Sequence, residues 1–261
     1  MTPDWPALFA PRPLASRAVE LVPPGLAGPV WFACARAGDL VALPPEAFLT
    51  VAESTRARAF KFGQPRENFT LGRLAGKLAL ERGRLRPRER GADVAVRAPN
   101  VGHPSGAWRE VEIGNGERGE PIVSEVGVAS ALGVSLSHVN GLGVAVAFPA
   151  GERVGLDLEL IDPKRAETVR KGVPLSAEEE AWLKVTSLPE GTALLLLWTA
   201  RESLGKALGC GLACQWETLA LQRIEVGSNG VCAGQFLHHP QFRCVSWVGP
   251  EAVMSLAFAA A

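Results

Sequence analysis

The clearest pattern along the chain is an alternation of apolar and polar residues over 154–160. It places Gly155, Asp157 and Glu159 between the apolar residues Val154, Leu156, Leu158 and Leu160. This two-residue period predicts a strand with one buried face, so both carboxylates should leave the other face. Residues two apart in a strand are about 6.6 Å apart, which lets both carboxylates bind one hard cation. The glycine beside them is expected to leave room for a phosphate.

A second pattern has the spacing of a helix and is expected to end near Gly209. Its apolar face is formed by Leu194, Leu197, Leu204 and Leu208. Glu202 and Lys206 are four residues apart and share another face of this helix. With Asp157 and Glu159, they predict a site for a phosphate ester bound through magnesium.

The rest of the pattern predicts an α+β fold in which both halves of the chain have helices followed by strands. Capping boxes open two helices, Thr50 with Glu53 and Ser176 with Glu179, and Asn140–Gly141 joins two strands as a hairpin. The first 30 residues should be irregular, and 97–106 should be a loop rich in proline and glycine. The other predicted elements are strands at 30–34, 108–113, 134–139, 142–148, 218–226, 231–236, 242–248 and 253–258, and helices at 51–62 and 65–83.

Charge is balanced over the whole chain but not within it. Lysine plus arginine equals aspartate plus glutamate, 27 each, which argues against a nucleic-acid partner. Residues 56–90 carry a surplus of basic side chains, and residues 152–202 carry a surplus of acidic ones. One half therefore suits phosphates and the other suits a cation.

The five cysteines are odd in number and lack a paired CxxC pattern, so a disulfide framework is not expected. Cys210 and Cys214 could supply two zinc ligands, but no second pair stands at a suitable spacing; small apolar roles are the favoured alternative. The N-terminal residues lack a secretory pattern, and no apolar run reaches membrane-spanning length. A cytoplasmic protein with no membrane partner is the expectation.

The two patterned stretches resemble the signature motifs of the 4'-phosphopantetheinyl transferases, specifically the larger, surfactin-synthetase-activating type. Residues 154–159 read Val-Gly-Leu-Asp-Leu-Glu, and residues 198–206 read Trp-Thr-Ala-Arg-Glu-Ser-Leu-Gly-Lys. The resemblance implies two similar α/β subdomains related by a pseudo-twofold axis, at 1–150 and 151–261, and a monomer. It also implies transfer of 4'-phosphopantetheine from coenzyme A to a serine of an apo carrier protein, with release of adenosine 3',5'-bisphosphate.

The resemblance implies a role for each matching residue of the second half. Asp157, Glu159 and Glu202 would bind Mg²⁺, with Mn²⁺ as a substitute. Glu202 would also take the proton of the carrier serine, and Lys206 would contact the diphosphate of coenzyme A. The carrier could belong to fatty-acid, polyketide or nonribosomal-peptide synthesis.

In the first half, residues 71–80 are similar to the family's Gly-Arg-x-x-x-Lys-x-Ala-Leu helix. Arg73, Lys77 and His138 are the residues that this similarity places on the nucleotide phosphates of coenzyme A. Three positions depart from the family: Glu120 stands where a lysine is usual, Val139 replaces a serine, and Arg201 replaces a lysine.

Each of these residues also has an ordinary structural interpretation. Asp157 and Glu159 could line a solvated strand face, Glu202 and Lys206 could be a simple helix pair, and the basic helix could be solvated. His138 is in phase with buried residues and could belong to the core. Glu179 fits a family acidic position near the carrier groove and a capping role equally well.

Two other function classes fit the sequence. One is a binding module of the same fold that holds coenzyme A or a carrier without transferring anything. The other is an unrelated magnesium-dependent phosphotransferase or phosphohydrolase, although the sequence has no Walker-type glycine loop.

Overall fold

The computed structural model describes residues 18–23, 25–26, 28–84, 106–227 and 230–260. The predicted loop at 97–106 lies outside these ranges except for its last residue. Contacts group the chain into two compact units. From Gly28 onward, the first unit is Gly28–Gly151 and the second is Glu152–Ala261. Each unit is described by itself below.

The first unit packs one long helix against an antiparallel sheet of order β1-β2-β7-β6. A second antiparallel sheet has the order β3-β4-β5. The strands are β1 Ala18–Leu21, β2 Val30–Arg36, β3 Val111–Asn115, β4 Pro121–Glu125, β5 Val128–Ala129, β6 Leu132–Val139 and β7 Leu142–Pro149, and the helices are α1 Asp39–Ala42, α2 Val51–Ala59 and α3 Gly63–Arg84.

The second unit has a similar composition of elements. Its five strands form one antiparallel sheet of order β8-β12-β11-β10-β9, and its longest helix packs on β8, β12 and β11. The strands are β8 Val154–Leu160, β9 Leu221–Val226, β10 Val231–Phe236, β11 Phe242–Val248 and β12 Ala252–Ala259, and the helices are α4 Pro163–Gly172, α5 Ala177–Val185 and α6 Glu190–Leu208. Both units thus combine antiparallel sheets with helices, which confirms the predicted α+β class.

The apolar periodicity accounts for the packing of α6 on its sheet. Leu194, Leu197 and Leu204 of the predicted apolar face are buried, and Leu208 is half-buried. The helix ends where predicted, at Gly209 in the left-handed conformation (φ 71°). The predicted hairpin is also present, with Val139 opposite Leu142 and a positive φ at Gly141. Both predicted capping boxes form through reciprocal bonds between side chain and backbone.

The environment of Gly155 was predicted wrongly. A Cβ on this residue would overlap the carbonyl oxygen of Ser203 and would lie 2.6 Å from the backbone nitrogen of Ala207. The missing side chain therefore lets α6 approach β8 and does not open a space for a phosphate. For the same reason β8 is buried on both faces from 154 to 158, where one buried face was expected.

Several predicted boundaries need correction. The N-terminal segment contains strand β1, which pairs with β2. Residues 106–110 and 216–219 form 3₁₀ turns ahead of β3 and β9, where strands were expected to have begun already. These turns interrupt apolar runs whose periodicity alone does not separate a short turn from a strand end.

Cysteines 210 and 214 form a disulfide, contrary to the expectation of free apolar side chains. Their Cα atoms are 5.9 Å apart, just beyond the end of α6. Cys34, Cys232 and Cys244 are buried thiols that form no disulfide, an environment that suits small apolar residues. Among the described residues, no helix has the length and apolar character needed to cross a membrane.

Candidate active site

Asp157 and Lys206 join the strand and the helix that carry the two signature patterns. The Lys206 ammonium donates to Oδ1 of Asp157 at 2.7 Å and to the carbonyl oxygen of Leu156 at 2.9 Å. Asp157 is buried, and the Lys206 side chain is 27% exposed. The ion pair therefore lies at the edge of the solvent, within reach of a bound ligand.

Glu159, the second carboxylate of β8, pairs with Arg165 of α4. The guanidinium donates from Nε at 3.0 Å and from Nη2 at 2.5 Å, both to Oε1 of Glu159. The same guanidinium lies 4.6 Å above the ring of Trp198, the first residue of the second signature. Trp198 in turn stacks on Trp216, with ring centroids 4.7 Å apart.

Glu202 lies one helical turn before Lys206 and is partly buried. Desolvation, followed by the negative charge of Asp157, raises the pKa of this carboxyl to about 7. Glu159 adds to the rise, while Lys206 and Arg165 oppose it. Asp157 and Glu159 therefore both repel an ionised Glu202, and an additional cation would relieve that repulsion.

The donor set consists of carboxylate oxygens, the ligand type that hard divalent cations prefer. Within the described residues, no three His, Cys, Asp or Glu side chains lie close enough together to hold one by themselves. Magnesium, however, commonly binds one or two carboxylates together with substrate phosphates and water. The oxygen donors fit such a shared ion, and the site at Asp157, Glu159 and Glu202 stays a prediction.

Arg201, which precedes Glu202, belongs to the core. It is fully buried and donates from Nε and Nη2 to the two carboxylate oxygens of Glu179. Its Nη1 donates to the carbonyl oxygens of Pro174 and Trp216. Glu179 also caps α5 and accepts from the backbone of Leu221. These contacts agree with the predicted capping role of Glu179.

Lys77 occupies a similar buried position in the first unit. Its side chain is only 1% exposed, and the ammonium donates to Oε2 of Glu53 at 2.6 Å. It also lies 2.6–2.9 Å from three backbone carbonyl oxygens, those of Phe48, Trp108 and Val111. Because these acceptors already outnumber its three protons, a phosphate at Lys77 would have to displace one of them.

Arg73 lies one turn before Lys77 on α3 and is also buried. Its Nη2 donates to the amide oxygen of Asn115, which also accepts from Arg56, and its guanidinium lies 4.3 Å from the ring centre of Phe69. Desolvation lowers the pKa of Arg73 to about 10. Its Nε has no hydrogen-bond acceptor among the described residues, so a phosphate oxygen could supply one.

His138 is exposed at the end of β6. The alternative that it is a core residue, which its strand alternation with Val134 left open, is therefore wrong. A Cβ on Gly72 would lie 3.8 Å from Cδ2 of this ring, so His138 lies against α3 at the residue that precedes Arg73 in the chain. That Arg73 and His138 bind the same phosphates stays a prediction.

Three contributors to these clusters were not predicted. Arg165, Asn115 and Glu53 each pair with a predicted site residue. The sequence contained a signal for Glu53, because the capping box fixes the orientation of its side chain. It contained no signal for Arg165 and Asn115, since their partners come close only after the chain has folded.

Residues 153–257 match the family model of the 4'-phosphopantetheinyl transferase superfamily. The match spans β8 and α6, which carry both signature patterns. A comparison with curated protein sequences gives no significant match.

Proposed function

We propose that this protein transfers the 4'-phosphopantetheine group of coenzyme A to a serine hydroxyl of an apo carrier protein in a magnesium-dependent reaction. The observation that carries the proposal is the group of Asp157, Glu159, Glu202 and Lys206, which lies within the segment similar to phosphopantetheinyl transferases. The similarity supports phosphopantetheine transfer in general, and the residue roles below are our own assignments.

The carboxylates of Asp157, Glu159 and Glu202 would hold Mg²⁺ or Mn²⁺ together with the coenzyme A diphosphate. The ion would neutralise negative charge on that diphosphate. Lys206 lies on the same acidic group and can donate to a diphosphate oxygen as charge builds up on the leaving adenosine 3',5'-bisphosphate.

Glu202 is the residue best suited to accept the serine proton. Without a metal, the pKa of this carboxyl is raised to about 7, so Glu202 exchanges a proton near neutral pH. A bound cation would favour its ionised form, which is the form that accepts the serine proton. The serine oxygen then forms the new bond to the phosphorus of phosphopantetheine, and the bond to the bisphosphate breaks. The proposal needs no covalent intermediate on the protein.

In the first unit, Arg73 and His138 are the proposed ligands of the nucleotide phosphates. Lys77 is proposed to support Arg73 from the core, because its ammonium is already surrounded by acceptors. Arg73→Ala should raise the KM for coenzyme A more than it lowers kcat. Arg58→Ala, which removes an exposed charge from α2, is the matched control.

One observation favours a second candidate, a coenzyme A or carrier-binding module without activity. Asp157 and Glu159 are already paired with Lys206 and Arg165, so two of the three carboxylates are neutralised without a metal. Such a module would bind coenzyme A and leave every carrier in its apo form.

Intact-mass spectrometry separates the two candidates. An apo carrier protein, taken in turn from fatty-acid, polyketide and peptide synthesis, is incubated with this protein, coenzyme A and magnesium, with chelator as control. A metal-dependent gain of one phosphopantetheine supports transfer. No gain on any carrier, with coenzyme A shown to bind, supports the binding module.

Asp157→Asn tests the site itself. We expect the folded variant to lose transfer, because it keeps the shape of the side chain but loses its charge. Asp162→Asn is the control: it removes a nearby exposed carboxylate, and asparagine caps a helix as well as aspartate does. Full activity in Asp157→Asn would sink the site assignment.

A further inference from the structure

Both hydrogen bonds from Arg165 to Glu159 end on one oxygen. Nε and Nη2 donate to Oε1, at 3.0 and 2.5 Å, and neither donates to Oε2. A forked guanidinium facing a carboxylate often contacts both oxygens. Here it fixes the rotation of the carboxylate and leaves Oε2 outside the ion pair.

Arg165 is itself held in place by its surroundings. It lies in the first turn of α4, which Asp162 caps, and its neighbours Ala166 and Val169 are buried in a core cluster with Leu194 and Leu195 of α6. These contacts fix the helix that carries Arg165.

Trp198 holds the other end of the side chain. Its ring lies 4.6 Å from the guanidinium and stacks on Trp216 at an angle of 24° between the ring planes. A planar guanidinium can stack in this way while its edge donates hydrogen bonds, and a lysine ammonium cannot. The position of Glu159 is therefore controlled through a chain of packed groups that reaches α6.

We propose that Arg165 is a positioning residue: by fixing Oε1 of Glu159, with Trp198 as its support, it presents Oε2 to a divalent cation. This inference rests on the proposed function, because it assumes that Glu159 binds the ion. In this proposal Trp198, the tryptophan of the second signature, supports Arg165.

Because Arg165 is positively charged, removing it should change metal affinity in opposite directions under the two possible roles. A guanidinium near a cation site repels the cation, so removing it should tighten metal binding if Arg165 acts only as a counter-charge. If Arg165 positions Glu159, removing it should weaken metal binding. Arg165→Lys is the sharper variant, because it keeps the positive charge and loses both the forked contact and the stacking.

The first measurement is bound Mn²⁺, counted by electron paramagnetic resonance in titrations of the full chain with and without coenzyme A. We expect about a tenfold loss of Mn²⁺ affinity in both Arg165→Lys and Arg165→Ala, the scale typical for residues that orient metal ligands. Trp198→Phe keeps an aromatic ring of smaller area and should give a smaller loss. Arg170→Ala removes a charge from the same helix, where Arg170 pairs with the exposed Glu180, and should leave affinity unchanged.

The second measurement is the magnesium dependence of transfer. Arg165→Lys should need about tenfold more magnesium for half-maximal activity, and saturating magnesium should restore much of kcat. A merely structural role would lower the thermal midpoint without moving this dependence. Wild-type affinity in Arg165→Lys, or tighter binding in Arg165→Ala, overturns the positioning role. A wild-type chain that binds no Mn²⁺ even with coenzyme A removes the metal site and this inference together; metal binding without transfer removes only the proposed activity.

Discussion

Glu53 in the first unit and Glu179 in the second make the same set of contacts. Each is the third residue of a capped helix, accepts from its own cap backbone, and pairs with a buried cation on the unit's longest helix. Each also accepts from the backbone N–H of a strand residue, Ile113 or Leu221. The buried cations, Lys77 and Arg201, are therefore equivalent residues, and one arrangement connects helix, cap and sheet in both units.

This equivalence predicts that Lys77 contributes to stability. Lys77→Met would leave the Glu53 carboxylate buried beside an apolar side chain, which typically costs about 3–5 kcal/mol of unfolding free energy. Urea unfolding should show this loss, and adding Glu53→Gln should recover part of it. Lys171→Ala, which breaks an exposed pair with Glu167, should cost less than about 1 kcal/mol. A Lys77→Met protein as stable as the control would contradict this role.

The close approach of β8 and α6 predicts that Gly155 does not tolerate a methyl group. Gly155→Ala should destabilise the protein by about 1–3 kcal/mol, because the added Cβ meets backbone atoms that cannot rotate away. It should also slow transfer by moving Asp157 relative to Lys206. Gly172→Ala is the control, since a methyl group added there would have no atom outside its own helix turn within 4 Å. Equal thermal midpoints for the two variants would argue against the tight approach.

The Cys210–Cys214 disulfide predicts a thiol count that depends on reduction. Denatured protein should show three free thiols before reduction and five after it. Because the closed loop is short, losing the disulfide should cost on the order of 2 kcal/mol. A reductant should lower the thermal midpoint of the wild type and leave that of a Cys210→Ser, Cys214→Ser double variant unchanged. Five thiols without reduction would exclude the bond.

The raised pKa of Glu202 predicts a pH-dependent stability in the absence of metal. The carboxyl titrates near pH 4.5 when unfolded and near 7 when folded, so folding takes up a proton between these values. Its contribution to stability is full below about pH 4.5 and is lost as the pH rises through about 7. Glu202→Gln should therefore flatten this part of the stability profile and be more stable than the wild type at pH 8.

Glu217→Gln, at an exposed position, should follow the wild-type profile and serves as the control. Magnesium with coenzyme A should also flatten the profile of the wild type, because a bound cation favours the ionised carboxyl. Parallel profiles for the wild type and Glu202→Gln would show that Glu202 titrates normally.

Local patterns in the sequence predicted the elements that depend on neighbours along the chain. The strand at Val154–Leu160, the end of α6 at Gly209, the hairpin at Gly141 and both capping boxes are set by periodicity or by contacts three or four residues apart. A single sequence can show elements of this kind, and the fold class followed from them.

The sequence could not show that two basic residues of α3, Arg73 and Lys77, are buried. They share a helix face, and only the folded contacts distinguish them: Lys77 donates to Glu53, whereas Arg73 donates to Asn115. The same holds for Arg165, whose partner Glu159 is separated from it by the turn at Asp162. Gly155 was misread because strand periodicity says which residues share a face and not what covers that face.

The sheet that carries the carboxylates delays the completion of the site during synthesis. Among the described residues, strand β8 pairs with β12 alone, with Asp157 opposite Ser255, and β12 follows the described helices of its unit in the chain. A nascent chain that has emerged only as far as α6 already contains both signature motifs but cannot pair the strand that holds Asp157 and Glu159. Strand β8 of a ribosome-bound chain should therefore be paired only after residue 259 has left the exit tunnel, and the candidate site should form no earlier.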